Sequence, residues 1–346
     1  YGILLIALIF VTPAGHAKDN LFPDDSDSAT PLAVELHLPL AQLRKIKADD
    51  EETELAGTLM MPDEQMADGQ ITDGVSLAVQ IRPRGKSRRK ECDFPPLWLN
   101  FKKKQLDGTI WAGQNKLKLV THCSKKFAKR EYLATEMFVY RLLNLFTDNS
   151  FRVRALEITY VDTDRERQEK YSGFVIEHKK ALANRLHGDL VETSSLKLAQ
   201  LDAKHASFIS LFAYFIGNTD FSLRQGPGAD CCHNAVPLQL GDLIFPIPYD
   251  FDAAGLVDPP YAAPAPNLSI RRVTQRLYRG YCEHNDLLDT AIKNFSDKRA
   301  DVQTLIDGFD DIPGFRAKSV TAYLNKFYAV IENPKQVHSK ILKKCR

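Results

Sequence analysis

The first half of the chain alternates apolar and polar residues with the two-residue period of a half-buried strand. Residues 34–38 (VELHL) and 75–82 (VSLAVQIR) show it most clearly. Residues 97–101 and 116–120 are further strand candidates, and Asp107-Gly108 and Gly113 between them predict a hairpin. The period then changes. Residues 126–146 contain neither Gly nor Pro and are apolar on most sides, which predicts one long, largely buried helix. Strands are predicted at 152–161 and 171–177, with the charged stretch 162–170 (DTDRERQEK) as their hairpin loop. Beyond Gly188 the pattern predicts helices at 194–216, 287–295, 298–306 and 317–331, set around a Pro- and Gly-rich, irregular region at 217–266. This order predicts an α+β fold of two lobes: a β-rich unit with one long helix over 32–178, and a mainly helical unit over 179–346. Long irregular segments inside compact proteins are usually functional, so chemistry is expected at the centre of the chain.

The ends and the cysteines add a compartment. Residues 1–11 (YGILLIALIFV) are apolar, and small residues follow up to Ala17, the build of a signal peptide over 1–17. The apolar run falls short of the roughly 20 residues that span a bilayer. No later segment is long and apolar enough either, so no membrane span is expected once the signal is removed. Residues 18–31 are acidic and rich in Ser and Pro, as a flexible leader would be. Adjacent Cys231 and Cys232 lack the two-residue gap with which paired thiolates grip zinc. Disulfides are therefore expected among Cys92, Cys123, Cys231, Cys232, Cys282 and Cys345, and six cysteines allow 15 pairings. The pairing taken here joins Cys92 to Cys123 and one of Cys231 and Cys232 to Cys282. A secreted or periplasmic location follows. The 46 basic and 44 acidic residues leave a net charge of +2, which argues against nucleic acid as a partner.

Two blocks carry candidate chemistry. Phe215-Ile216-Gly217-Asn218-Thr219-Asp220 ends an apolar helix, and Tyr249-Asp250-Phe251-Asp252 follows an apolar strand, with His233-Asn234 between them. Rigid elements that end in carboxylates and amides offer the hard oxygen ligands that Mg²⁺ and Mn²⁺ prefer. A further carboxylate set apart from the metal can take a proton from an attacking hydroxyl. Either block alone also fits a helix cap or a strand followed by a turn; together, with the Asn between them, they favour a site. Two basic runs, 82–90 (RPRGKSRRK) and 271–279 (RRVTQRLYR), read either as phosphate grips or as solvated faces. There is no Gly-x-Ser-x-Gly elbow to support a serine hydrolase.

The order Gly-Asn-x-Asp, a later Asn, a short strand and then Tyr-Asp resembles the catalytic half of the atypical kinases related to the spore-coat CotH kinases. The HipA toxin kinases and, distantly, phosphoinositide kinases share it. Arg84-Gly85-Lys86-Ser87 resembles the Arg-Gly-x-Ser segment of CotH proteins. Asn115-Lys116-Leu117-Lys118-Leu119, followed by a helix with Lys129-Arg130-Glu131, resembles their Lys-bearing strand and first helix. The resemblance spans roughly residues 75–280. It implies a two-lobed kinase-like fold and a metal-dependent enzyme using ATP or another nucleotide with Mg²⁺ or Mn²⁺, acting on a protein or cell-envelope hydroxyl. It implies Asp220 as catalytic base, Asn234 and Asp250 as metal ligands, and Asp252 as an alternative or second ligand. Lys118 or Lys116 would hold the nucleotide phosphates with Arg84, and Glu136, or its rival Glu131, would pair with that Lys. The sequence departs from the pattern in lacking a Gly-x-Gly-x-x-Gly loop and in carrying an insertion at 224–232. The alternatives are a non-catalytic binding protein and a metal-dependent hydrolase built on Asp220, His233, Asp250 and Asp252.

Overall fold

The computed structural model describes residues 20–23, 30–47, 49–62, 64–65, 71–72, 74–85, 88–92, 94–123, 130–226 and 231–346. The expected signal peptide lies outside them, as do 18–19 and 24–29 of the expected leader. The part of the leader that is described is not wholly solvated. Leu21 and Phe22 are buried in the first core, and the Leu21 amide donates to the Ile110 carbonyl at 3.0 Å.

In strand β1 (Leu32–Leu38) the apolar residues Leu32, Val34, Leu36 and Leu38 all point inward. It is followed by β2 (Leu55–Met61), the short pair β3 (Glu64–Gln65) and β4 (Ile71–Thr72), and β5 (Val75–Pro83). Then come β6 (Leu97–Phe101), β7 (Lys116–Val120), β8 (Val153–Asp162) and β9 (Arg167–Ile176). Strands β1-β2-β5-β6-β7-β9-β8 form a closed barrel in that order. Neighbours are antiparallel except β1 and β8, which run parallel from Leu32↔Leu156 to Leu38↔Asp162 and close the ring. Closure removes the exposed edges that an open sheet would leave. Leu36, Leu59, Ile81, Leu99, Leu117 and Ile158 fill the interior. At Gly173 on β9 the chain passes so close to its neighbours that a Cβ would lie 2.7 Å from Ile158 Cδ1 and 2.9 Å from the Val120 carbonyl oxygen.

The helices are α1 (Leu40–Leu43), α2 (Arg88–Glu91), α3 (Arg130–Phe146), α4 (Lys179–Arg185), α5 (Ala203–Ile216), α6 (Leu288–Asp297), α7 (Arg299–Asp307), α8 (Gly314–Ile331) and α9 (Pro334–Lys340). A small sheet, β10 (Asp189–Leu190), β11 (Ala235–Leu240) and β12 (Leu243–Pro248), lies among them. No described helix is long and apolar enough to cross a membrane.

The two-lobed α+β architecture expected from the element order, and the kinase-like form that the resemblance implied, are overturned by this arrangement. The first unit is a closed mixed barrel, because β1 returns to pair with β8. Helix α3 does not belong to the barrel alone. Phe138, Val139 and Leu142 share one continuous core with α5, α6 and α8, so the helical part grips the barrel through α3. Smaller expectations shift as well. The charged segment 162–170 is mostly strand, its turn confined to 163–166. Helix α5 starts at Ala203 and not at 194, because the Asp202 carboxylate caps it by accepting from the His205 amide at 2.7 Å. The region expected to be irregular holds the β11–β12 hairpin.

Three disulfides tie the fold, which fits a chain that matures in an oxidising compartment. Cys92–Cys123 forms as expected and joins the end of α2 to the segment after β7. Cys231 pairs with Cys232, and Cys282 with Cys345, so the expected link to Cys282 is wrong. The chain's last residues return to the segment at 280–282, where the Arg346 amide donates to the Gly280 carbonyl at 2.9 Å and Cys345 meets Cys282; the sequence spacing held no sign of this return. In the chain-entropy account, loops closed by Cys92–Cys123 and Cys282–Cys345 contribute on the order of 4 kcal/mol each.

Gly173→Ala should lower stability by about 1–3 kcal/mol through overpacking. Gly314→Ala, where nothing lies within 4 Å of the added carbon, should change it by no more than about 0.5 kcal/mol. Urea unfolding of both variants is the measurement, and equal effects would remove the close-approach argument.

Candidate functional site

Helix α5 is buried on nearly every side, so its end is held firmly. Gly217 stops it in the left-handed region at φ 70°, where a Cβ would lie 2.0 Å from Tyr323 Oη. Asn218 then accepts the Asp220 amide on its side-chain oxygen at 2.9 Å, which turns Asp220 outward. The Arg276 guanidinium donates to the last α5 carbonyls, of Tyr214 and Phe215, and lies 3.8 Å from the Tyr323 ring. Arg279 donates to the Thr219 carbonyl. These two residues of the basic run 271–279 thus serve to cap a helix and its turn.

The second block is placed by the β11–β12 hairpin. Asn234 enters it and Asp250 leaves it, and the Tyr249 amide donates to the Asn234 carbonyl at 3.0 Å. Both residues have positive φ, 51° and 62°, a conformation that Asn and Asp tolerate and that is enriched at functional sites. The Asp250 amide donates to Tyr140 Oη of α3 at 2.9 Å. Beyond it, the Gly255 and Leu256 amides donate to the Gly217 and Ile216 carbonyls, which lays this segment against the end of α5. A two-bond bridge between Ser222 and His233 completes the join.

The result brings Asp220, His233, Asn234, Asp250 and Asp252 into one region. Asp220 Oδ1 lies 2.7 Å from His233 Nε2, and the Asn234 side-chain amide donates to Asp220 Oδ2 at 3.0 Å and to its carbonyl at 2.8 Å. The hydrogen bond that His233 Nε2 donates to Asp220 raises the His233 pKa against the opposing effect of burial. Around Asp250, burial disfavours the carboxylate, but Arg84, Arg88 and Lys118 together outweigh it and hold its pKa below the ordinary range. Asp252 goes the other way. Burial raises it, although Arg88 Nε donates to its Oδ2 at 2.8 Å and Tyr261 Oη at 3.3 Å.

Lys118, on the outer face of β7, has its Nζ 3.8 Å from the centroid of the Tyr249 ring and 5.6 Å from that of Trp98. Burial, with Arg84 nearby, lowers its pKa to about 7. Lys116 stays on the same strand face, its Nζ over Trp98 at 4.8 Å. His178, the N-cap of α4, is lowered to about 4 by burial and by Lys116, Lys179, Lys180 and Lys118. This side of the site is strongly cationic.

Glu136 does not pair with Lys118. Its Oε2 accepts from Arg88 Nη2 at 2.8 Å, and burial raises its pKa. Its rival Glu131 lies near Arg316, at the start of α3. Arg88, with 12 % of its side chain exposed, is thus the bridge between α3 and the Asp250 segment. Sequence reasoning named the basic run that contains it but not Arg88 itself; the adjacent Cys92, which anchors α2, was the available signal. Of the residues that carried the resemblance, Lys86 and Ser87 of the Arg-Gly-x-Ser segment and Lys129 before α3 lie outside the described residues.

Among the described residues, no group of three or more His, Cys, Asp or Glu side chains is arranged to hold a metal ion. Mg²⁺ needs only one or two protein carboxylates when substrate phosphates supply other oxygens. Asp250, ionised and without a direct ion pair among the described residues, and the oxygen of Asn234 fit that lesser requirement. Asp252 fits only when Arg88 releases it. No protein-family model matches the chain, and a search of curated proteins finds no relative.

Two titrations follow. The unfolded chain protonates Lys118 up to about pH 10.4, and the folded protein only up to about 7. The unfolded state therefore binds more protons across that window, and Lys118 makes stability rise with pH there. The stability of wild type minus Lys118→Met, followed from pH 6 to 10 by urea unfolding, should climb; a flat difference would deny the shift. For His233 the sign is reversed. Its raised pKa gives stability that is fully present below about 6.5 and is lost as pH rises through the folded value. NMR titration should show the His233 pKa falling in Asp220→Asn.

Proposed function

We propose that this site transfers a phosphoryl group from a nucleotide such as ATP to a hydroxyl on a protein or other cell-envelope acceptor outside the cytoplasm, with Mg²⁺ or Mn²⁺. The observation that carries the reading is the convergence of Asp220, Asn234 and Asp250 beside Arg84 and Lys118. It pairs a carboxylate fit for proton transfer with cations fit for phosphate oxygens, independently of the overall architecture. Phosphoryl transfer asks little covalent chemistry of the protein and much positioning and charge stabilisation.

Asp220 is fixed from two sides by His233 and Asn234, which holds its carboxylate at the end of α5 to take the acceptor's proton. Asp250 and Asn234 would hold the metal ion, which supplies charge neutralisation for phosphate oxygens. Lys118 and Arg84 would grip those oxygens from the β7 side. An anion arriving there favours the charged form of Lys118, so binding and protonation reinforce one another.

A metal-dependent hydrolase of phosphate esters is the second reading. It is favoured by the 2.7 Å contact between His233 and Asp220, which could orient and deprotonate a water.

Thermal unfolding with ATP, Mg²⁺, both or neither separates the two. Phosphoryl transfer expects a rise in midpoint that needs both ligands and vanishes in Asp250→Ala. Asp220→Asn should keep that rise and lose about 10²–10⁴-fold in transfer of labelled γ-phosphate. A shift with metal alone, accompanied by turnover of phosphate monoesters, would favour the hydrolase. No shift under any condition would sink both.

A further inference from the structure

A cavity lies against Arg88 and Glu136. It encloses about 350 Å³ between the first turns of α3, the middle of β9 and the loop at Val257, Pro260 and Tyr261. That is within the usual range for small-molecule sites. Its floor is Arg88 and Glu136, and its walls are largely aromatic: Tyr132, Tyr171, Tyr261 and His122. The His122 ring stacks on Tyr171 at 3.5 Å and on Phe94 at 4.8 Å, so that wall is braced from behind. At the rim, Lys170 and Glu157 form an ion pair at 3.0 Å.

Glu136 supplies the second, independent observation. Its side chain is 2 % exposed, its Oε2 is taken by Arg88, and its Oε1 is buried with no hydrogen-bond partner. Leaving a buried acceptor unsatisfied costs about 1–3 kcal/mol, more when it is charged. Native structures rarely carry such an atom without a water, ion or ligand to account for it. Arg88 Nε and Nη2 on the same floor donate to Asp252 Oδ2 and Glu136 Oε2, and neither reaches Glu136 Oε1. What Glu136 Oε1 lacks is a donor.

We propose that this cavity is a binding site for a small flat ring compound bearing an amino, amidino or hydroxyl donor, which packs between the tyrosines and donates to Glu136 Oε1. A fully ionised acid brings no donor to Glu136 Oε1, so the site discriminates against the phosphates proposed for the Asp250 side. The occupant shares Arg88 and Glu136 with that side, and any effect of one ligand on the other's affinity is reciprocal. The proposal itself does not depend on phosphoryl transfer.

The test uses benzamidine, a flat ring with a forked donor, against benzoate, its anionic counterpart of the same shape. Each is titrated into wild type and Ser172→Trp and followed by amide NMR. Ser172 lines the cavity, and tryptophan there fills it. Benzamidine is expected to bind wild type with Kd on the order of 1 mM, shifting residues around Tyr132 and Tyr171, and to bind Ser172→Trp at least about tenfold more weakly. Benzoate is expected not to bind. Equal binding of the two probes, undiminished binding to Ser172→Trp, or no binding of benzamidine would overturn the proposal; the last would mean that ordered water alone satisfies Glu136. If Ser172→Trp fails to unfold cooperatively, the comparison of the two probes on wild type still decides.

Discussion

The buried guanidinium of Arg88 is the contact on which the candidate site depends. It comes from α2, beside the barrel, and donates both to Glu136 of α3 and to Asp252 after β12. Three segments far apart in sequence are thus held by one planar cation, whose fork suits two carboxylates at once. Such a bridge contributes less to net stability than its geometry suggests, because all three charges must be desolvated. Breaking it is costly: with Arg88 gone, Glu136 and Asp252 would face each other as buried, uncompensated acids. The Cys92–Cys123 disulfide secures α2 next to β7, so the strand that carries Lys118 and the helix that carries Arg88 keep a fixed spacing.

Charge at the site is balanced locally and not by solvent. Asp250 stays ionised because Arg84, Arg88 and Lys118 surround it, whereas Asp252 and Glu136, sharing Arg88 alone, are pushed toward the neutral acid. Lys118 is pushed toward the neutral amine. Groups of the same type are driven apart in pKa by their surroundings, as functional sites require. The same arrangement leaves Glu136 Oε1 buried without a hydrogen-bond partner beside the aromatic cavity.

The barrel and the helical part meet through α3. Its apolar faces pack both on β8 and β9 and against the helices that follow α5, and Tyr140 reaches from it to the Asp250 amide. A shift of α3 would therefore move Glu136, Arg88 and the backbone at Asp250 together. This coupling is built into the core and needs no separate hinge.

Much of this was legible in the residues themselves. Period-two alternation located β1, β5, β6 and β7, and the long run free of Gly and Pro located α3, because these patterns are local and each element must bury its own face. Gly217-Asn218-Thr219-Asp220 and Tyr249-Asp250 were identifiable as candidate chemistry, since polar groups that follow rigid apolar elements are held where they can act. Strand β2 (LAGTLMM) lacks alternation and was not seen. The partners were not legible. That β1 closes on β8, that Glu136 binds Arg88 and not Lys118, that Cys345 and not Cys231 or Cys232 reaches Cys282, and that His233 meets Asp220 are all pairings between distant segments. Periodicity reports which face of an element is buried, but not against what. Only the packed chain, in which every buried charge and strand edge must find a partner in three dimensions, decides that.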